Sequence, residues 1–274
     1  VQLAPLADPA LVASAVARAI DLRQEAETPP VEALRIHLQD KRMLLVLDNC
    51  EHLRRAAATL AADLLAASPT LAVLTTSRAR LNVTAERLAP LAPLELPDPS
   101  KPTSLDILSR VPSVDLFVQR AQSVRPEFAL TPANAADVAE ICRRLDGLPL
   151  ALELAAARTR VLPPVRLRSL LEQRLPLLTG GGADLPARQR TLRDAIAWSH
   201  DLLSEAEQQL FRRLAVFAGG CTLEAAEAVG GEADGLDLDV LDWIGSLVDN
   251  SLIRQEEGST GELRYTMLAT IREY

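Results

Sequence analysis

Lysine is nearly missing from this chain: among 274 residues only Lys41 and Lys101 carry an ammonium group, and neither follows a glycine-rich turn. A phosphate-cradling loop of the form GxxxxGK(S/T) is therefore excluded from these residues. No apolar stretch reaches the roughly 18 residues that span a bilayer, and no signal peptide opens the chain, so no membrane contact and a cytoplasmic location are expected. Cysteine is scarce and dispersed. Cys50, Cys142 and Cys221 offer neither zinc-ligand spacing nor a dense disulfide framework, and each reads as a small buried apolar residue. His37, His52 and His200 are too scattered to argue for a site. Basic residues are also short in the last third: residues 188–274 hold eight Arg against sixteen Asp or Glu, a net of −8, whereas residues 1–187 hold twenty-one of each sign.

What is present is ordinary globular material, 48% apolar and 24% charged, with room for two or three domains. Its organising stretch is Arg42-Met43-Leu44-Leu45-Val46-Leu47-Asp48-Asn49-Cys50. An unbroken apolar run bounded by charge predicts a strand buried on both faces, as in parallel sheets held between helices. Asp48 stands at its carboxyl end, where open α/β sheets place their ligands, so it is suited either to hold a metal or its waters beside a phosphate or to cap the helix that starts near Glu51. Leu71-Ala72-Val73-Leu74-Thr75-Thr76-Ser77-Arg78 repeats the pattern. Between the two, Leu53, Leu60 and Leu64 recur at helical spacing, which gives a strand–helix–strand unit with both polar termini on one edge.

Around this unit the chain reads as follows. Asp8-Pro9 starts a helix carrying Leu11, Ala15 and Ala19; after Thr28-Pro29-Pro30 a second amphipathic helix carries Val31, Leu34 and Leu38. A short strand is expected from Arg87 to Leu91, and Leu94–Thr103, with Pro97, Pro99 and Pro102, reads as a linker. Helices follow: one with the stripe Phe117, Ala121 and Val124, one opened by Thr131 and Pro132 with Val138, Ile141 and Leu145 on one face, and one whose first turn holds Pro149. Asp146-Gly147 stops the second of these. A helix from Val165 to Arg174 leads to a hinge at Gly180-Gly181-Gly182-Ala183-Asp184. From Arg188, Leu192, Ile196 and Leu203 line a helix, Ser204-Glu205-Ala206-Glu207 is a capping box before Leu210, Phe211 and Leu214, Thr222 caps a third helix, and Asp237 opens a fourth bearing Val240, Leu241, Ile244 and Val248. Leu252-Ile253-Arg254 and Leu263-Arg264-Tyr265-Thr266-Met267 flank a turn-rich segment as a β-hairpin does. Helices followed by a hairpin predict a winged helix.

The residues LLVLDNCEHL, LAVLTTSR and RLDGLPLALELAAAR, in that order, resemble the second half of the nucleotide-binding region of STAND signal-transduction ATPases. The likeness runs from Val1 to Tyr274 and is to the branch found in bacterial transcriptional regulators of the LuxR and AfsR/SARP kind, relatives of NB-ARC proteins. It implies an α/β partial P-loop NTPase layer over residues 1–93, an all-α ARC1-like helical domain with the GLPL motif over 104–178, and a winged-helix domain over 188–274. In that resemblance Asp48 is the Walker B residue, acting on Mg²⁺ through water; Arg78 is the sensor that reaches toward the terminal phosphate; and Gly147 and Pro149 belong to the GLPL motif, whose Pro borders the adenine. Without that resemblance, Pro149 is equally well a helix-opening residue whose missing N–H costs nothing. Val1–Pro9 resembles the strand that the family places after the phosphate loop and its helix, so a fragment is expected.

The implied function is an ATP/ADP-dependent switch in a transcriptional regulator, closed with ADP and open with ATP. In the family the winged helix folds back on the nucleotide and locks the resting state. ATP or ADP and Mg²⁺ are the expected cofactors of the complete protein, with none bound firmly by residues 1–274 and no catalysis by them alone. Expected partners are the chain's own missing P-loop segment, flanking effector and sensor domains, and further copies on activation. DNA is not expected: a groove-reading helix needs basic residues, and Asp237–Asp249 carries acids and no Lys or Arg. Asn49 follows Asp48 where many hydrolytic relatives have a second acid, and an amide cannot take a proton from water, so hydrolysis is expected to be slow. Glu51 lies one turn further on, as a substitute base or as a favourable charge at a helix start. Where relatives keep a Met-His-Asp motif, this chain has Met267-Leu268-Ala269. A competing reading is a helical and winged-helix scaffold whose nucleotide site has decayed.

Overall fold

The computed structural model describes residues 1–22, 27–100, 104–171, 178–179, 190–230, 237–257 and 262–274. It divides into two compact units, Val1–Pro90 and Leu91–Tyr274. None of its helices is long and apolar enough to cross a membrane among the described residues.

The first unit is built on β1 (Met43–Leu47) and β2 (Leu71–Thr75), which pair in parallel with Met43 opposite Leu71 and Leu47 opposite Thr75. They are joined by the crossover helix α3 (Arg54–Ala67), as parallel neighbours require. On the other side of β1 the first residues extend the pairing: the Leu3 N–H donates to the Asp48 carbonyl at 3.0 Å and the Asp48 N–H to the Val1 carbonyl at 2.9 Å. Asp8 accepts the Ala10 N–H and, with Pro9 at the first position, opens a short 3-10 turn that runs into α1 (Val12–Ala19). α2 (Pro30–Leu38) follows. Val16, Leu34 and Leu38 pack with Leu45 and Leu47 and with Ala57, Leu60 and Leu64 of α3 into one core. Each buried leucine there contributes about 1.5–3 kcal/mol through removal of apolar surface from water.

Two expectations need correction here. The strands are covered on one face only: Leu45, Leu47 and Leu71 are buried, whereas Leu44 is 59% exposed and Leu74 53%. An apolar run states that both faces can be buried, and the helices of this unit cover one. Arg87–Leu91 forms no strand. Pro90 lacks an N–H to give to a ladder, and Leu91, 96% exposed, has nothing to pack against.

The second unit begins with α4 (Leu105–Ser109), capped by Ser104, and α5 (Pro112–Val124), which buries Phe117 and Ala121 but leaves Val124 outside. α6 (Ala135–Arg144) starts later than Thr131 and Pro132 suggest, because Thr131–Asn134 form a turn in which the Asn134 side chain accepts the Thr131 N–H at 2.8 Å. α7 (Pro149–Ala157) and α8 (Pro164–Leu170) complete the helical part; the expected continuation of α8 to Arg174 and the glycine hinge at 180–184 lie outside the described residues. Next come α9 (Leu192–His200), α10 (Glu205–Leu214), α11 (Leu223–Gly230) and α12 (Asp237–Asp249). α10 has the expected capping box, the Ser204 hydroxyl accepting the Glu207 N–H and the Glu207 carboxylate accepting the Ser204 N–H. In α12 Val240, Ile244 and Leu247 are buried and Leu241, expected inside, is exposed. β3 (Arg254–Glu257) and β4 (Leu263–Thr266) pair antiparallel, with Arg254 opposite Thr266, and α13 (Ala269–Arg272) ends the unit. The turn between β3 and β4, residues 258–261, lies outside the described residues. The helical part and the winged-helix part share a continuous cluster of buried residues.

Candidate functional site

Where β1 ends, the backbone turns sharply. Asn49 takes up the left-handed region (φ 70°), a conformation that Asn tolerates better than most residues. The turn is laced to the end of β2: the Cys50 N–H donates to the Thr76 carbonyl and the Thr76 N–H to the Leu47 carbonyl, both at 2.9 Å. The Thr76 hydroxyl completes the link. It donates a short hydrogen bond to Asp48 Oδ1 and accepts the Asn49 N–H at 2.9 Å. The Asp48 carboxylate is thus oriented at the solvent-exposed edge by the neighbouring strand.

Beside it lies a buried carboxylate. The Glu51 side chain is 4% exposed, and its Oε1 accepts the Asn49 amide N–H at 2.9 Å and stands 3.9 Å from Nε of Arg78. A carboxylate withdrawn from water needs such partners. Glu51 therefore anchors Arg78 and Asn49, and its carboxylate is turned away from solvent. Beyond Arg78 the loop is pinned by Glu86, whose two oxygens accept the Leu81 and Asn82 N–H groups at 2.9 and 2.8 Å. Cys50, completely buried, has its thiol pushed up to about 12 by burial, with the nearby Glu51 and Asp48 carboxylates adding to the effect. It is no nucleophile at neutral pH.

Among the described residues no group of three or more His, Cys, Asp or Glu could hold a metal ion. One oriented carboxylate next to a hydroxyl suits an ion that takes its other ligands from water and phosphate oxygens, which is the habit of Mg²⁺.

In the second unit Asp146 and Gly147 both have positive φ, 55° and 66°, between α6 and α7. Gly147 is required by geometry as well: a Cβ there would sit 2.2 Å from the Leu94 carbonyl oxygen, and the Gly147 carbonyl accepts the Leu94 N–H at 3.0 Å. Pro149 is exposed and opens α7 at its first position. Asp146, a helix stop by its place in the sequence, also makes a long-range contact. Its Oδ2 accepts both the N–H of Thr270, at 3.1 Å, and the Thr270 hydroxyl, at 3.0 Å.

Of the residues singled out in the sequence, Asp48 and Arg78 thus belong to the first unit, and Gly147 and Pro149 to the second. Thr76, Glu51 as an anchor, and the Asp146–Thr270 pair are additions. The hydroxyls at the end of the second apolar run were the one signal for Thr76.

In the winged-helix part, β3 shows Glu256 and Glu257 to solvent, α12 shows Asp242, and the last turn of α12 has no basic residue. The Arg264 guanidinium is turned inward and donates to the Gly220 carbonyl at 2.9 Å.

Residues 203–274 match the family model described as a winged helix-turn-helix domain. Over all 274 residues the chain is 42% identical to the Mycobacterium tuberculosis protein named "Putative HTH-type transcriptional regulator Rv0890c", and over 273 residues it is 37% identical to "Uncharacterized protein Rv0894" of the same organism. The chain spans 30% of the length of the first relative and 66% of the second. Among solved structures it is similar to the Walker-type ATPase PABY2304 of Pyrococcus abyssi, with a TM-score of 0.55 and 16% identity, over 95% of this chain and 73% of that one. The chain therefore has a fold similar to that of a Walker-type ATPase, carries a winged-helix domain at its end, and is similar in sequence to a mycobacterial protein named as an HTH-type regulator.

Proposed function

We propose that residues 1–274 are the switch region of a nucleotide-operated transcriptional regulator of the STAND type, in which exchange of ADP for ATP carries the signal. The observation that carries this reading is the Asp48–Thr76–Asn49 cluster at the carboxyl edge of two adjacent parallel strands, with Arg78 held close by through Glu51. Asp48 is the residue that would hold Mg²⁺, through water, and Arg78 the one that would sense the terminal phosphate. Gly147 and Pro149 would border the adenine. Bound Mg²⁺ supplies charge neutralisation at the phosphates. The chain's own residues supply orientation: Thr76 fixes the Asp48 carboxylate, and Glu51 fixes the guanidinium. Neither Asn49, an amide, nor Glu51, already engaged, is suited to take a proton from water. Slow turnover and a long-lived bound state follow. The acidic surface of the winged-helix part supports a role within the switch and not on DNA, whose phosphates it would repel.

The test is calorimetry on the full-length protein. Asp48→Ala should remove the Mg²⁺-dependent part of nucleotide binding, and Arg78→Ala should erode the discrimination between ATP and ADP. Residues 1–274 alone should bind either nucleotide weakly, and a submicromolar Kd for them would contradict the reading. A second reading is a scaffold with a decayed site, favoured by the commitment of Arg78 to Glu51. Absence of any nucleotide binding by the full-length protein would select it.

A further inference from the structure

The helical part of the second unit carries a recess of about 430 Å³ whose lining includes neither Gly147 nor Pro149. It lies where α5 ends, beside the 3-10 turn Arg158–Arg160 that runs on from α7. Its walls are held by bonds of the protein's own. The Val161 and Leu162 N–H groups both donate to the Arg158 carbonyl, at 3.0 and 2.9 Å, the Arg158 guanidinium donates to the Thr179 carbonyl at 3.0 Å, and the Thr159 hydroxyl is spent on the Ala156 carbonyl at 2.6 Å. Pro126 and Pro163 add stiff backbone to the lining. Two kinds of surface meet there. Val124 is 38% exposed and Val161 67%, an unusual exposure for apolar side chains on a fixed wall. Arg125 is paired with Glu127 at 2.8 Å, whereas Arg160, exposed, has no ion pair among the described residues.

We infer that this recess is a second ligand site, one that takes an apolar group bearing a carboxylate: the acid pairs with the Arg160 guanidinium, and the apolar body lies over Val124, Val161 and Leu162. The volume falls within the roughly 300–1,000 Å³ of small-molecule sites. The sign of the charge follows from the lining, where two guanidinium groups stand against one carboxylate. The helix ends do not reverse it: the carboxyl ends of α5 and of the 3-10 turn each bring about half a negative unit, and the start of α8 returns about half a positive one. A planar guanidinium without a partner also matches a carboxylate with two parallel N–H groups, which an ammonium group does not. The site is independent of the nucleotide reading, since Asp48 and Arg78 belong to the other unit and Gly147 and Pro149 lie outside the recess.

The experiment is photolabelling of the full-length protein with a benzoic acid that carries a para trifluoromethyl-diazirine, followed by mass spectrometry of its peptides. Insertion should fall on the peptides that hold Val124 and Val161 and should saturate with probe concentration. Arg160→Gln should cut it about tenfold, the loss of one charge-assisted pair, and the methyl ester of the probe should label as weakly as that variant. Val161→Asp, which sets a like charge beside the acid, should remove the labelling. Both positions are exposed, so the thermal transition of the two variants should match that of the wild type. Competition then separates the sources of the carboxylate: displacement by phenylbutyrate identifies a free acid, and displacement by the blocked tripeptide Leu-Glu-Leu alone identifies an acidic side chain of a peptide. Labelling spread over other peptides, equal labelling by acid and ester, or undiminished labelling of folded Arg160→Gln would overturn the site.

Discussion

Glu51 holds Arg78: the buried Glu51 carboxylate lies 3.9 Å from the Arg78 guanidinium and also accepts the Asn49 amide. This pair holds the Arg78 side chain beside the carboxyl end of the strands and keeps the Glu51 carboxylate away from solvent.

Glu51→Ala should therefore destabilise the first unit by about 1–3 kcal/mol, because a buried acceptor of the Asn49 amide and a charge facing Arg78 disappear. Arg78→Ala should cost less, its side chain being 32% exposed. Urea midpoints on residues 1–274 check the order. Equal midpoints for Glu51→Ala and the wild type would mean that the carboxylate is dispensable.

Gly147→Ala should lower stability by about 2 kcal/mol or more, since the new methyl group would meet the Leu94 carbonyl and the positive φ would be strained. Gly219→Ala is the control: nothing lies within 4 Å of a Cβ built there. Thermal unfolding of both variants gives the comparison.

Ser204→Ala should cost about 1 kcal/mol by removing one half of the capping box of α10. Ser204→Thr should restore most of it. A loss in Ser204→Ala no larger than in Ser204→Thr would show that the cap contributes nothing.

The thiols give a pH-dependent prediction. Burial pushes Cys142 up to about 12, and burial together with neighbouring carboxylates does the same for Cys50, against an ordinary thiol value of 9.0. A folded-state pKa raised in this way favours the protonated form, so its stabilisation is complete below pH 9 and is lost as pH rises toward 12. Native protein at pH 8 should leave both thiols unreactive toward an aromatic disulfide reagent, and denaturant should release them. Rapid native labelling of Cys50 would show that the strand end opens readily.

The elements whose signals are local were legible in the sequence. β1, β2 and α3 follow from apolar runs and helical spacing, and the Ser204 capping box from four consecutive residues. Burial was harder to read. Leu44 and Leu74 are as apolar as Leu45 and Leu47, and nothing in a run of leucines states how many helices will cover it. The candidate site divides in the same way. Asp48 and Arg78 stand out because they end strands, whereas Thr76, Glu51 and Thr270 matter through partners two to 124 residues distant, a relation that no window of sequence displays.

The uncovered face of the β1–β2 sheet decides how this region behaves in the test tube. Leu44, Val46 and Leu74 present an apolar strip to water, and β2 has no partner strand on its outer edge among the described residues. A strip and an open edge of this kind are the two ingredients of strand-to-strand aggregation. Residues 1–90 produced by themselves should collect in inclusion bodies, and concentrated solutions of residues 1–274 should scatter light in a way that Leu44→Thr and Leu74→Thr together relieve.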